Sequence, residues 1–266
     1  MDRKITPMKK IALLLTMCFL HYLGCQTEAL SAPVVLELFT SEGCSSCPPA
    51  DKVLSEIAEK TPIDGVEIIP IGWHVDYWNK LGWTDRFSKE DYTRRQYAYA
   101  QSSKRESVFT PEAVLNGLGG INGADRTAIL KGAQYLAERP GVEVKMVVSF
   151  TEPETLTVNL ETPKGVSIPE GESLDVLVVI TEDNLITRVE RGENSGRTLR
   201  HDAVVREFKR VGVIRDDRDL PFKKKVTMDW NPDWSKENSH VVVLLQEHLS
   251  QLILGAGTSP AKIEAK

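Results

Sequence analysis

The sequence predicts two domains of different class, an α/β domain first and an all-β, sandwich-like domain second. A stretch at 34–39, apolar at five of six positions, leads into Cys44-Ser45-Ser46-Cys47 and then into a run with helical spacing. From Val142 onward the apolar residues recur at every second position instead. Pro140 stands where the period changes and stops the preceding helix. The expected organisation is an export segment over 1–25, the α/β domain over 33–139 and the β domain over 141–257.

Composition narrows the function classes. The chain of 266 residues carries 33 basic and 38 acidic side chains, a formal net charge of −5, so it lacks the basic footprint of a nucleic-acid binder. With 41% hydrophobic and 27% charged residues it is neither disordered nor fibrous. Four cysteines are too few to staple a fold of this size, so stability must come from hydrophobic cores.

Arg3, Lys4, Lys9 and Lys10 precede an apolar run over 11–20, the layout of a signal peptide. The run is shorter than the roughly 20 residues of a spanning helix. It ends in Leu23-Gly24-Cys25-Gln26, similar to a lipobox with Tyr22 where Leu is usual, so Cys25 is the expected lipidation site and membrane tether. Cleavage near Ala29 or Ala32 to a free protein, or an uncleaved anchor, are the other outcomes. Cys18 leaves with the signal, and Cys44 and Cys47 remain as the thiols of the folded part.

The elements follow in order. Val34 to Phe39 is apolar at five of six positions and suits a strand covered on both faces. Pro48 and Pro49 mark a helix start, and Ala50, Val53, Leu54, Ile57 and Ala58 give that helix its apolar face. The pair therefore sits at a helix N-terminus, where the dipole and free N–H groups favour a thiolate on the outer Cys44. Cys44 is the expected nucleophile and Cys47 the resolving thiol. The other readings are a structural disulfide and a zinc half-site; the latter lacks a second Cys pair, and His74, His201, His240 and His248 show no zinc-type spacing, so no metal ligand is assigned.

A second strand is expected at Val66 to Ile71, and a helix from a capping-box-like Ser88-Lys89-Glu90-Asp91 to about Ser102. Next comes a strand from Glu112 to an Asn116-Gly117 turn, with Pro111 at its head. The last helix of this half starts at Asp125. Trp73-His74-Val75-Asp76-Tyr77-Trp78 follows the second strand on the side expected to face the active site. Trp73, His74 and Asp76 are candidate substrate contacts, with His74 as a proton shuttle or auxiliary metal ligand oriented by Asp76; alternatively the aromatics simply cover the sheet edge around a hydrogen-bonded His74.

In the second half, alternation over 142–150, 155–160 and 226–230 and a fully apolar stretch over 241–245 argue for an antiparallel sandwich. Residues 188–202 hold Arg188, Arg191, Arg197, Arg200 and His201 among acids. A solvated hairpin with internal ion pairs is expected; the other readings are a loop reaching back to the Cys pair and an anion site.

Strand, Cys-x-x-Cys and helix in that order resemble the start of a thioredoxin-like fold, which makes 33–139 a thioredoxin-like domain. In that fold a Thr-Pro pair holds a cis bond facing the cysteines. Thr110-Pro111 resembles it, which implies that Pro111 shapes the catalytic site and that Thr110 presents its backbone to a substrate peptide; an ordinary trans proline is the other reading. Longer stretches, Leu38-Phe39-Thr40-Ser41, Cys44 to Asp51, His74-Val75-Asp76-Tyr77-Trp78, Leu81-Gly82-Trp83 and Arg191 to Leu199, resemble bacterial exported thioredoxin-like proteins catalogued as a domain of unknown function. Ordinary thioredoxins carry a buried Asp on the strand before the motif. The matching position here is Leu38, and alternation points neighbouring Glu37 to the opposite face.

The function expected from these residues is a thiol-disulfide oxidoreductase of the cell envelope, periplasmic and lipid-tethered. It would need no cofactor and act on exported protein or small-molecule thiols and disulfides. A non-catalytic binding module on an inactive platform, and a metal (copper) delivery protein, are the alternatives; copper-delivery proteins use a wider cysteine spacing.

Overall fold

The computed structural model describes residues 32–60, 62–150 and 154–261. The expected export segment 1–25, with the lipidation site Cys25, lies outside the described residues. Strands dominate. In chain order the elements are β1 (Val34–Thr40), α1 (Pro48–Glu59), β2 (Ile68–His74), α2 (Glu90–Ser102), β3 (Glu112–Leu115), β4 (Leu118–Asn122), α3 (Arg126–Ala137), β5 (Val142–Glu143), β6 (Lys145–Phe150), β7 (Thr155–Glu161), β8 (Leu174–Glu182), β9 (Leu185–Arg188), β10 (Thr198–His201), β11 (Val204–Ile214), β12 (Lys223–Asp229), β13 (Ser239–Glu247) and β14 (Ile253–Pro260).

One mixed sheet of nine strands runs through both halves of the sequence, in the order β4-β3-β1-β2-β11-β8-β13-β14-β5. β1 and β2 are parallel from Val34↔Ile68 to Thr40↔His74. β2 then pairs in parallel with β11 through Gly72↔Val204, and β5 pairs in parallel with β14 at the far edge. A three-stranded antiparallel sheet, β12-β7-β6, and the β9-β10 hairpin complete the strands.

This corrects the expected fold class. An α/β thioredoxin-like domain followed by a separate sandwich is wrong: the described chain is mostly β, with three α-helices on a sheet that ignores the expected boundary near residue 140. The core shows why. On one face Val34, Leu36 and Leu38 of β1 pack with Leu54 and Ile57 of α1 and Ile129 and Ala133 of α3. The opposite face joins Val35, Phe39, Ile69 and Trp73 to Tyr92 and Tyr99 of α2 and onward to Leu177, Val179, Val242 and Leu244 of β8 and β13. The alternate residues of these two strands, Val176, Val178, Ile180, Val241, Val243 and Leu245, meet the three-stranded sheet through Leu156, Val158, Leu160 and Trp230. β8 and β13 are therefore central strands covered on both faces. Their continuous apolar runs carried that information, since a strand of a sandwich with one solvated face alternates.

Local expectations fared variously. Asp125 caps α3 by accepting from Ala128 N at 2.9 Å. Asn116 and Gly117, both at positive φ, turn β3 into β4, and a side chain on Gly117 would strike the Gln251 carbonyl. The capping box does not form: Lys89 is the N-cap of α2 without a side-chain bond, and Ser88 Oγ donates to the Asp85 carbonyl.

Candidate functional site

Cys44 and Cys47 form a disulfide at the N-terminal end of α1. Cys47 is the N-cap, and Pro48 and Pro49 occupy the first two helical positions. The prolines have no N–H, and the next two amides, of Ala50 and Asp51, both donate to the Cys47 carbonyl. The free first-turn donors expected around a thiolate are thus absent here. What remains to stabilise charge on Cys44 is the helix dipole and the Ser46 hydroxyl, whose Oγ lies 3.3 Å from Cys44 Sγ.

Both cysteines are 0% exposed, and a distant loop is bonded to the turn that carries them. Residues 189–197, between β9 and β10, reach across to the Cys-x-x-Cys turn. Buried Asn194 donates from Nδ2 to the carbonyls of Glu42 and Cys44, 2.9 Å each, while its Oδ1 accepts from Arg197. Glu193 accepts from Ser45 N at 3.1 Å, and the Ser45 hydroxyl, followed by that amide, holds its carboxyl below the usual range. Gly192, at positive φ, lies against Trp83, and Trp83 Nε1 donates to Glu42 Oε2 at 2.7 Å. The hairpin expected for 188–202 forms as β9 and β10 with a largely exposed tip, but that tip is also the loop that reaches back to the cysteine turn. Neither the loop nor its register could be read from charge pattern.

Thr110–Pro111 is a cis bond. Pro111 is buried, and its Cβ, with Ala50 of α1 and Leu38 of β1, closes around Gly123 so tightly that a side chain there would collide with them. Thr110 Oγ1 accepts from Trp78 Nε1 at 2.8 Å, and Trp78 Cβ packs on Gly43. The segment after β2 thereby links the Pro111 strand to the cysteine turn.

The aromatic cluster divides. Trp73 is fully buried in the sheet and donates its indole N–H to Glu37 at 2.7 Å, so it has no surface to offer a substrate. Asp76 does not orient His74; it accepts from Thr93 of α2. Asp85, which sequence reasoning missed, takes that place: its Oδ2 lies 2.6 Å from His74 Nδ1 and accepts from Glu42 N, and Oδ1 accepts from Phe87 N. His74 is enclosed rather than presented to solvent. Burial disfavours its charge, but Asp85, and then Asp51 and Glu42, outweigh that and hold the imidazole above its ordinary range. Burial also opposes charge on Asp85, which His74 and the two amides overcome, leaving it below the usual range.

His201, at the end of β10, completes a buried cluster with groups the sequence reading left out. Its ring stacks edge to face on His74, centroids 4.9 Å apart. Nε2 lies 3.6 Å from Glu42 Oε1 and Nδ1 lies 3.6 Å from Asp51 Oδ2. Asp51 Oδ1 accepts from Thr40 at 2.6 Å. Burial pushes the Asp51 carboxyl up, beyond what His201, His74 and Thr40 recover. Asp51 is four residues after Cys47 on α1, a spacing that places both on one helix face and was readable in the sequence. Among the described residues no group of three or more His, Cys, Asp or Glu side chains is arranged to hold a metal ion.

Fold and site together define a class: a mixed, largely β protein with a buried Cys-x-x-Cys disulfide beside buried His–carboxylate pairs. The chain belongs to the family described as protein of unknown function (DUF1223), whose model matches residues 35–246. It is similar to a crystal structure of a structural-genomics target protein from Agrobacterium tumefaciens, at 27% identity over 89% of this chain and 97% of that one, with a TM-score of 0.67. It shares its fold with HBP35 of Porphyromonas gingivalis, at 15% identity over 87% of this chain and 76% of that one, with a TM-score of 0.59. No curated protein matches it.

Proposed function

We propose that this protein exchanges disulfides with thiols of exported proteins or small molecules, with Cys44 as the nucleophile and Cys47 as the resolving thiol. The observation that carries this reading is the Cys44–Cys47 disulfide at the positive end of α1, with the Ser46 hydroxyl beside Cys44 Sγ. Pro111 packs with Ala50 of the first turn of α1 around Gly123, which supports a substrate peptide pairing along the neighbouring Thr110. His74 serves as a buried charge partner of Asp85 near the pair and not as a substrate contact. Because both cysteines are buried and loop 189–197 is bonded to the turn between them, exchange requires that loop to withdraw, and Glu193, an anion bound to the Ser45 amide, competes with a thiolate for the same end of the helix. The working location is the cell envelope, with Cys25 as the lipid tether; incorporation of a labelled fatty acid that is lost in Cys25→Ser tests it.

The reduction potential tests the central reading. A midpoint between about −270 and −120 mV, titrated on the full chain in thiol buffers and read by mass-shifting alkylation, is expected of an oxidoreductase. A pair that stays oxidised below about −300 mV, or opens only on denaturation, is a structural disulfide and overturns it. In addition, Cys47→Ser is expected to trap mixed disulfides through Cys44, and Cys44→Ser to trap none.

A further inference from the structure

Four fully buried polar atoms lack a hydrogen-bond partner within this one cluster: Glu42 Oε1, Asp51 Oδ2 and both ring nitrogens of His201. They face one another in pairs, each nitrogen 3.6 Å from a carboxylate oxygen, just beyond bonding distance. A purely structural cluster closes such gaps, since an unmet buried polar group is costly. The groups around His201 come from several elements: Glu42 from the turn after β1, Asp51 from α1, and His74 from the end of β2 with Asp85 behind it. Phe87 packs on the ring, with the Arg206 guanidinium of β11 over the far side of Phe87. On its own strand Arg200 turns away, toward Glu59 and Asp202.

We infer that Asp51 supplies a proton to Cys47 when the disulfide opens, and that His201 is the positioning residue that holds the Asp51 carboxyl in place for it. Asp51 stands one helical turn from Cys47 and lines a cleft of about 370 Å³ with Pro48, Ser55, Leu199 and Arg200, which returns the proton from solvent. The inference rests on the disulfide-exchange reading above. In the step, a thiolate of a substrate dithiol attacks Cys44 Sγ, forming a mixed disulfide. The Cys44–Cys47 bond breaks with its electron pair on Cys47 Sγ, which takes the proton from Asp51. The second substrate thiol then gives up its proton, attacks the substrate sulfur of the mixed disulfide and expels Cys44 as a thiolate that is protonated from solvent. The substrate loses two electrons and the cysteine pair gains them.

The experiment follows reduction of the oxidised full chain by dithiothreitol from pH 5 to 9, with acid quench and alkylation, each rate divided by the thiolate fraction of the reagent. In the wild type the corrected rate is expected to fall as pH rises and the cluster loses its proton. Asp51→Asn is expected to be slower by about tenfold or more on the acid side and flat with pH. His201→Gln should also be slower, with its fall moved to higher pH because His201 opposes the proton on Asp51, and the double variant should lose nothing beyond Asp51→Asn. Folding of each is checked by near-ultraviolet dichroism; if His201→Gln does not fold, Asp51→Asn and His201→Asn carry the same comparison. A folded variant that keeps the wild-type rate and pH profile overturns the inference while the disulfide-exchange reading stands. A wild-type pair that dithiothreitol opens only in denaturant overturns both.

Discussion

Two buried charged clusters lie on opposite sides of β1, and they are built differently. On the α2 side, Glu37 accepts from Trp73 Nε1 at 2.7 Å, from Arg95 Nε at 2.6 Å and from the Tyr99 hydroxyl. Arg95 also donates to Gln246 and to Tyr99, and Gln246 donates to Tyr99 and to the Gln251 carbonyl. Every donor finds an acceptor, and the network ties β1, α2 and β13 together across 151 residues of sequence. On the α1 side, Glu42, Asp51 and His201 leave polar atoms facing each other unbonded. The closed network is a joint between three elements, whereas the open one holds its carboxylates and imidazole just beyond bonding distance. Burial of charge is common to both clusters; incomplete satisfaction distinguishes the α1 side.

The largest effect that sharpens this contrast is expected from Arg95→Ala. It leaves Glu37 buried without its cation and should cost about 3–5 kcal/mol in denaturant unfolding. His201→Gln, in the open cluster, should fall well short of that; equal losses would erase the distinction between the two sides. Next comes Asn194→Ala, which strips the donor from two carbonyls and is expected to cost about 1–3 kcal/mol while speeding reduction of the disulfide. A slower or unchanged reduction rate would show that loop 189–197 does not control access.

A third test uses pH. His74 has a raised imidazole in the fold, so its contribution is fully present below the unfolded value of 6.5 and is lost as pH rises through the folded one. Asp85 has a lowered carboxyl, so its contribution is present above the unfolded value of 3.8 and is lost as pH falls through the folded one. The pair therefore stabilises most between those two unfolded values, and His74→Gln should flatten the stability profile on the alkaline side of that window. The smallest effect is expected from Glu193→Gln at an exposed site: an unchanged melting temperature, with faster alkylation of Cys44 after mild reduction.

Much of the site was legible locally. The strand into Cys44, the helix opened by Pro48 and Pro49 and the Asn116-Gly117 turn each depend on residues within a few positions, so short-range sterics specify them. Asp85 was not legible, because what brings it to His74 is an irregular turn held by Asn79 and Ser88 rather than a periodic element. Asn194 and His201 lie roughly 150 residues from the cysteines, and no spacing rule connects them. Trp73 was misjudged for a related reason: an aromatic after a strand faces outward or inward according to which helix packs there, and α2 encloses it.

The amino-acid sequence by itself determined the chemistry and the local frame, namely two cysteines at the head of a helix, the proline before β3, and strands wherever apolar residues alternate or run unbroken. Those features arise from backbone sterics and from the burial preference of each short segment. Only the tertiary structure decided that β11 pairs with β2 through Val204 and Gly72, fusing the halves into one sheet, and that loop 189–197 and His201 come to rest on the cysteine turn. A parallel pairing between distant strands is chosen by which faces can be buried together, and that is a property of the whole chain's packing rather than of any window along it.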